Sequence, residues 1–148
     1  MCIRDRSLPK RSRTGKLWTV TDGRTAGIPA ALYRIDAATR RVEQTYTFAA
    51  GDHPSSVTLN GTRDTLYFIN RDVWRMRVDA EELPVTPFLP YTQTTYYEVA
   101  VDPLTSEVYV ADAIDYVQHG VVYRFTARGA AVDTIRVGIT PGSFCFKP

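Results

Sequence analysis

Residues 97–137, YEVAVDPLTSEVYVADAIDYVQHGVVYRFTARGAAVDTIRV, break into four short apolar runs joined by turn residues. The first run is Tyr97–Asp102 and the second is Glu107–Ala111, with Pro103-Leu104-Thr105-Ser106 as the turn between them. The loop Asp112–Gly120 leads to a third run, Val121–Ala127, and Arg128-Gly129 turns the chain into a fourth, Val132–Val137. β-Branched and aromatic residues fill the runs, while Pro, Gly, Ser and Asp fill the gaps, which is the chemistry of strands and tight turns. The second run is apolar at successive positions rather than alternate ones. A strand with one wet face alternates, so this run predicts a sheet covered on both faces.

The same pattern occurs three times. Trp18 in LWTV, Tyr67 in LYFI and Tyr109 in VYVA lie 49 and 42 residues apart. Tyr33 in ALYRID, Trp74 in VWRMRVD and Tyr123 in VVYRFTA are spaced by 41 and 49 residues. A third set, Val57 in SVTLN, Val99 in EVAVD and Phe144 in SFCF, is spaced by 42 and 45. Each set keeps its order within the repeat, and Asn60-Gly61 marks the first turn of the middle copy. Four short strands recurring every 40–50 residues or so are the signature of propeller blades. A two-layer sandwich also has short strands but does not repeat in this way. The predicted fold is all-β, a partial β-propeller of about three four-stranded antiparallel blades. The blades cover residues 16–50, 54–90 and 96–138, with a closing strand over 141–147.

Composition agrees and narrows the function classes. Of 148 residues, 44% are hydrophobic and 23% charged, which is globular rather than disordered. The net charge of +2 is misleading. Residues 1–16 carry six Lys or Arg against Asp5 alone, whereas the rest carries twelve basic and fifteen acidic residues. A nucleic-acid footprint needs its basic residues on the folded body, so no nucleic-acid partner is expected. No run is long and apolar enough to be a membrane-spanning helix. Two cysteines, Cys2 and Cys145, make neither a disulfide scaffold nor a four-ligand zinc site, and Cys145 in an apolar run reads as an inert buried thiol. Residues 1–15 lack apolar periodicity and open on MCIRDRS, which looks like translated sequencing adapter. They are expected to be a disordered or non-native leader, leaving the first blade to begin at its second strand.

Gly51-Asp-His-Pro54 and Gly138-Ile-Thr-Pro141 each precede a first strand, and a turn and an aromatic-bearing second strand follow. This pattern resembles the YVTN repeat of YncE-like seven-bladed β-propellers. The stretch Leu17–Lys147 is similar to the C-terminal part of those found on the surface of Bacteroidota, including the DUF5074 type. The resemblance implies that three blades of a seven-bladed ring are present, with the missing blades lying upstream. An isolated three-blade arc is expected to expose apolar blade surface and associate. The resemblance also implies export, to the periplasm or to the surface as an outer-membrane lipoprotein, with no signal in this stretch. Asp64-Thr65-Leu66 and Asp133-Thr134-Ile135 add weak support, as they look like O-glycosylation sites of exported Bacteroidota proteins.

In antiparallel blades the loops after the second and fourth strands share one rim. That rim carries the longer polar and aromatic connections, and binding residues concentrate on such loops over a rigid scaffold. The expected ligand-binding residues are Asp22, His53, Asn70, Asp72, Tyr91, Gln93, Tyr96, Asp112, Asp115, Tyr116, Gln118 and His119. Tyr91 and Tyr96 would stack on a planar ligand, and Gln93, Asp115 and Gln118 would hydrogen-bond to it. Asp22, Asp72 and Asp112 each end a second strand, where a carboxylate more often caps a turn. Asp112, Asp115 and His119 have spacings that suit a metal, yet they sit on one loop without a fourth ligand, so neither metal nor cofactor is expected.

The sequence has no G-x-S-x-G elbow, HExxH, P-loop or C-x-x-C. The expected function is therefore non-catalytic: a cell-surface or periplasmic binding or scaffold propeller. By resemblance to corrinoid-capturing surface lipoproteins, such a protein captures a ligand such as a corrinoid for an outer-membrane transporter. The alternative is a lactonase- or lyase-like propeller enzyme whose site lies mostly in missing blades, to which this stretch offers only His53 and His119.

Overall fold

A computed structural model describes residues 10–25, 27–92 and 95–147. The described residues hold eleven strands and no helix. The strands are β1 (Lys10–Arg11), β2 (Lys16–Thr21), β3 (Ala31–Asp36), β4 (Arg41–Thr47), β5 (Ser55–Leu59), β6 (Thr65–Asn70), β7 (Asp72–Arg77), β8 (Tyr96–Val101), β9 (Val108–Asp112), β10 (His119–Phe125) and β11 (Ala131–Ile139). They form three antiparallel sheets in sequence order, β1–β4, β5–β7 and β8–β11. The architecture is all-β, a partial β-propeller of three blades.

Strand pairing reproduces the sequence repeat. Trp18 lies opposite Arg34, Tyr67 opposite Arg75, and Tyr109 opposite Arg124. One step along, Thr19 pairs with Tyr33, Phe68 with Trp74, and Val110 with Tyr123. Val57 faces Phe68 as Val99 faces Val110. The aromatic and valine positions spaced in the sequence therefore occupy equivalent places in successive blades.

Each blade presents a forward face to the next blade and a rear face to the one before. The forward face of blade one, with Trp18, Leu32 and Tyr46, packs on the rear face of blade two, with Leu66, Phe68 and Met76. Blade two repeats this with Tyr67, Ile69 and Val73 against Val99, Val108 and Val110 of blade three. Ring contacts span the first interface, where Phe48 meets Phe68 edge-on at 5.7 Å. Burying side chains of this size contributes about 1.5–3 kcal/mol each, which is what holds the stack together.

The structure corrects several expectations. Lys10–Arg11 pairs with β2, so blade one has an innermost strand. Ser12 is buried, its hydroxyl accepts from the Lys16 N–H at 3.2 Å, and Arg13 N–H donates to Arg63 C=O at 3.0 Å. Residues 10–15 are thus part of the fold rather than a disordered leader, while residues 1–9 lie outside the described residues. Blade two has no fourth strand among the described residues. Its outer edge is an isolated bridge, Val73 to Leu89, because Pro84, Pro87 and Pro90 remove backbone donors along that segment. The expected closing strand 141–147 pairs with no strand among the described residues, but Phe144 and Phe146 pack on Tyr109 at 6.2 and 5.4 Å. Cys145 is exposed and disulfide-bonded, not a buried thiol.

The Asn60–Asp64 turn carries a dense hydrogen-bond network. The Asn60 side chain accepts from the Asp64 and Thr65 N–H groups, both at 3.1 Å, and donates to the Asp64 carboxylate at 2.9 Å. Gly61 is required here, since a Cβ would sit 1.9 Å from the Pro103 carbonyl oxygen of blade three. The Asn60 amide, then the Thr65 hydroxyl, hold the Asp64 carboxyl down from 3.8 to about 2. A carboxyl lowered by folding stabilises the native state when ionised. That contribution is complete above its ordinary value and is lost as pH falls from 3.8 towards 2. Urea denaturation between pH 5 and pH 2 should therefore show a shallower acid loss in Asp64→Asn than in the wild type. An unchanged pH slope would mean that this turn does not bind the carboxylate as described.

Candidate functional site

The loops after β2 and β6 and the segments leading into β5 and β8 converge beside the innermost strands. Between them lies a groove of about 710 Å³. Asp22, His53, Tyr91, Tyr96 and Tyr116 of the expected set line it, together with Lys10, Arg24, Arg71, Ser56 and Glu98. The inner strands come together here because Ser56 and Glu98 stand one residue before the equivalent Val57 and Val99. The Ser56 hydroxyl donates to the Glu98 carboxylate at 2.5 Å and accepts from the Val99 N–H at 3.0 Å. Ser56 is the extra residue of a β-bulge and has a φ of 49°, which turns its hydroxyl towards β8.

Aromatic and cationic groups define the groove. The Arg71 guanidinium stacks 4.5 Å from the centre of the Tyr91 ring. The Tyr116 ring stands edge-on to Tyr97 at 5.8 Å. Arg71 and Tyr116 have φ values of 61° and 66°, conformations that bulky residues seldom adopt. The Asp22 carboxylate pairs with Arg24 at 3.2 Å and accepts the Arg24 N–H, the turn-capping role expected for it. The His53 Nδ1 lies 2.8 Å from the Asp22 carbonyl. A carbonyl can only accept, so Nδ1 carries a proton and Nε2 is left for other partners.

The remaining expected residues serve the scaffold instead. Asp72 accepts the Tyr91 N–H at 2.7 Å, fixing the segment that carries that ring. The Asn70 carbonyl accepts the Trp74 indole N–H at 3.0 Å, and Asn70 lines a separate cavity of about 160 Å³ beside Phe68 and Leu83. Asp112 is 2% exposed and accepts from Thr95 N–H, Ile114 N–H and the Tyr123 hydroxyl. Burial, and then this carboxylate, push the Tyr123 hydroxyl up. Asp115 binds the Val117 and Gln118 N–H groups and the Gln118 side-chain amide. Those donors hold the Asp115 carboxyl below its ordinary range and occupy the hydrogen-bonding groups expected to meet a ligand. His119 Nδ1 is 3.0 Å from the Val137 carbonyl, within its own blade. Gln93 lies outside the described residues. Among the described residues no three His, Cys, Asp or Glu side chains gather as a metal site.

Lys10, Arg24, Ser56, Arg71 and Glu98 are among the lining residues outside the expected set. Lys10 fell within the excluded leader. Ser56 and Glu98 could have been found, because their 42-residue separation is that of Val57 and Val99.

Comparison with family models and with curated proteins finds no match. Among solved structures, the chain is similar to a quinoprotein alcohol dehydrogenase-like protein from Bacteroides thetaiotaomicron, with a TM-score of 0.65 and 14% identity. The match covers 86% of this chain and 32% of that one. It is also similar to a protein of unknown function from Bacteroides caccae, with a TM-score of 0.57 and 13% identity over 79% of this chain and 39% of that one. At these identities the likeness is one of fold. The chain spans about a third of the length of the structures it matches.

The buried position of Asp112 leads to a clear expectation. Asp112→Ala leaves three donors without their acceptor, which costs about 1–3 kcal/mol for each donor left buried and unsatisfied. Urea denaturation should show a loss of at least that size, against a smaller one for exposed Asp115→Ala. Equal small losses would mean that Asp112 is not a scaffold residue.

Proposed function

We propose that this chain belongs to a non-catalytic ligand-binding propeller, YncE-like and of the DUF5074 type, exported to the periplasm or the cell surface. The groove is its share of the binding site. One observation carries the reading: tyrosine rings at 91, 96 and 116 line the same 710 Å³ groove as the cationic side chains Lys10, Arg24 and Arg71. Tyrosine supplies broad stacking area with little entropy loss, and arginine and lysine supply donors to anionic or carbonyl groups. The favoured ligand is planar and apolar at its centre and carries acceptor groups at its edge. Carboxylate contacts play a smaller part than the sequence suggested, since Asp72, Asp112 and Asp115 already accept backbone N–H groups of the protein itself.

A corrinoid has this chemistry, a flat macrocycle edged with amides and a phosphodiester. In this reading the protein passes it to an outer-membrane transporter. Isothermal titration of the chain with cyanocobalamin tests it. Saturable binding is expected, weakened by Tyr91→Ala by at least about 1 kcal/mol, roughly fivefold. Arg128→Ala, in the turn between β10 and β11, should leave the affinity unchanged. No binding, or equal losses in both variants, rejects the assignment.

A further inference from the structure

The cavity of about 160 Å³ lies between blades one and two, so both of its walls belong to this chain. Blade one supplies Phe48 and Asp52 from the segment after β4, and blade two supplies Phe68, Asn70, Trp74 and Leu83. The apolar part is built from rings. Phe48 meets Phe68 edge-on at 5.7 Å, and Trp74 lies parallel to Phe68 with 6.5 Å between centroids and 10° between planes. The Trp74 indole N–H donates to the Asn70 carbonyl at 3.0 Å, which fixes the ring where it lines the cavity. Leu83 packs against the same cluster. A cavity of about 150 Å³ with apolar walls holds a benzene-sized ring, so this one has room for a single ring.

The polar part carries negative charge with nothing to balance it. One oxygen of the Asp52 carboxylate accepts the Ala49 N–H at 3.1 Å, and the group forms no ion pair among the described residues. The Asn70 side-chain amide makes no hydrogen bond among them either. Glu82, next to Leu83 in the chain, is exposed and equally unpaired there. No Lys or Arg lines the cavity among the described residues, whereas the larger groove has three such side chains.

We propose that this cavity is a separate binding site for a small aryl-alkyl ammonium ion, one aromatic ring with an ammonium group one or two carbons away. The ring enters beside Phe48, Trp74 and Leu83, where edge and face contacts with other rings are open to it. The ammonium group stays at the polar part and donates to the Asp52 carboxylate and the Asn70 side-chain carbonyl. A neutral ring of the same size leaves that carboxylate unpaired, and an anionic one is repelled by it.

Isothermal titration with benzylammonium chloride at pH 7 should show saturable binding with a dissociation constant on the order of 1 mM. Benzyl alcohol, the uncharged counterpart, should bind about fivefold more weakly. Asp52→Asn still offers an oxygen to the Ala49 N–H, yet it should weaken benzylammonium by the same factor and leave benzyl alcohol unchanged. Tyr91→Ala, in the groove, should leave both unchanged. Tryptophan emission locates the ion, because the chain has two tryptophans and Trp18 is 0% exposed. Saturation should alter the emission of the wild type but not that of Trp74→Phe, which keeps Trp18 alone. No saturable binding, equal affinity for the alcohol, or an unaltered wild-type emission would overturn the proposal. A loss in Tyr91→Ala without one in Asp52→Asn would put the ion in the groove and overturn it as well.

Discussion

Strands such as Leu66-Tyr67-Phe68-Ile69 are buried on both faces, and this demand for two covers organises the molecule. A single sheet of this kind cannot exist in water by itself. Each one needs a neighbour before it and a neighbour behind it, and a repeating chain supplies neighbours in sequence order. Everything else is built around that stack. The turns that join the first two strands of neighbouring blades touch, as Gly61 does at Pro103. The innermost strands are tied by the Ser56–Glu98 bond. The longer loops ride on the rim that the stack holds still.

Polar chemistry then fixes how the apolar faces are aligned. Dispersion and burial are indifferent to small slips, whereas an arginine reaching a particular carbonyl is not. Arg34 and Arg75 each cross to the turn of the following blade, and Tyr46 reinforces the first crossing. Within blades, Lys16 bridges Asp36 and Glu43 at 2.6 and 2.5 Å, which ties β2, β3 and β4 at the end away from the groove. The Asp36 carboxyl is held well below its usual range, first by Lys16 and then by turn N–H groups. The carboxylates of this protein thus mostly hold loops and strands in place, and the groove owes its character to rings and cations.

The fold was legible in the sequence because its cause repeats. The aromatic sets Trp18, Tyr67 and Tyr109, and Tyr33, Trp74 and Tyr123, recur at blade spacing and need no knowledge of tertiary contacts. What escaped was whatever depends on a partner distant in sequence. Lys10–Arg11 has no apolar pattern and becomes a strand only because β2 offers an open edge. The stretch 79–90 lost its strand to prolines that a blade count alone passes over. At the site, residue type was visible but availability was not. Asp112 and Asp115 look like ligands until their N–H donors are counted, while Ser56 and Glu98 look ordinary until β5 and β8 lie side by side.

Adjacent sheets stabilise one another through specific contacts across the blade interface. A double-mutant cycle on Phe48 and Phe68 tests it most directly, since the rings come from blades one and two and meet at 5.7 Å. Denaturation of Phe48→Leu, Phe68→Leu and the double variant should yield a coupling of about 0.5–1.5 kcal/mol. Additivity to within about 0.3 kcal/mol would mean that the two rings do not meet and that the blades are not stacked as described.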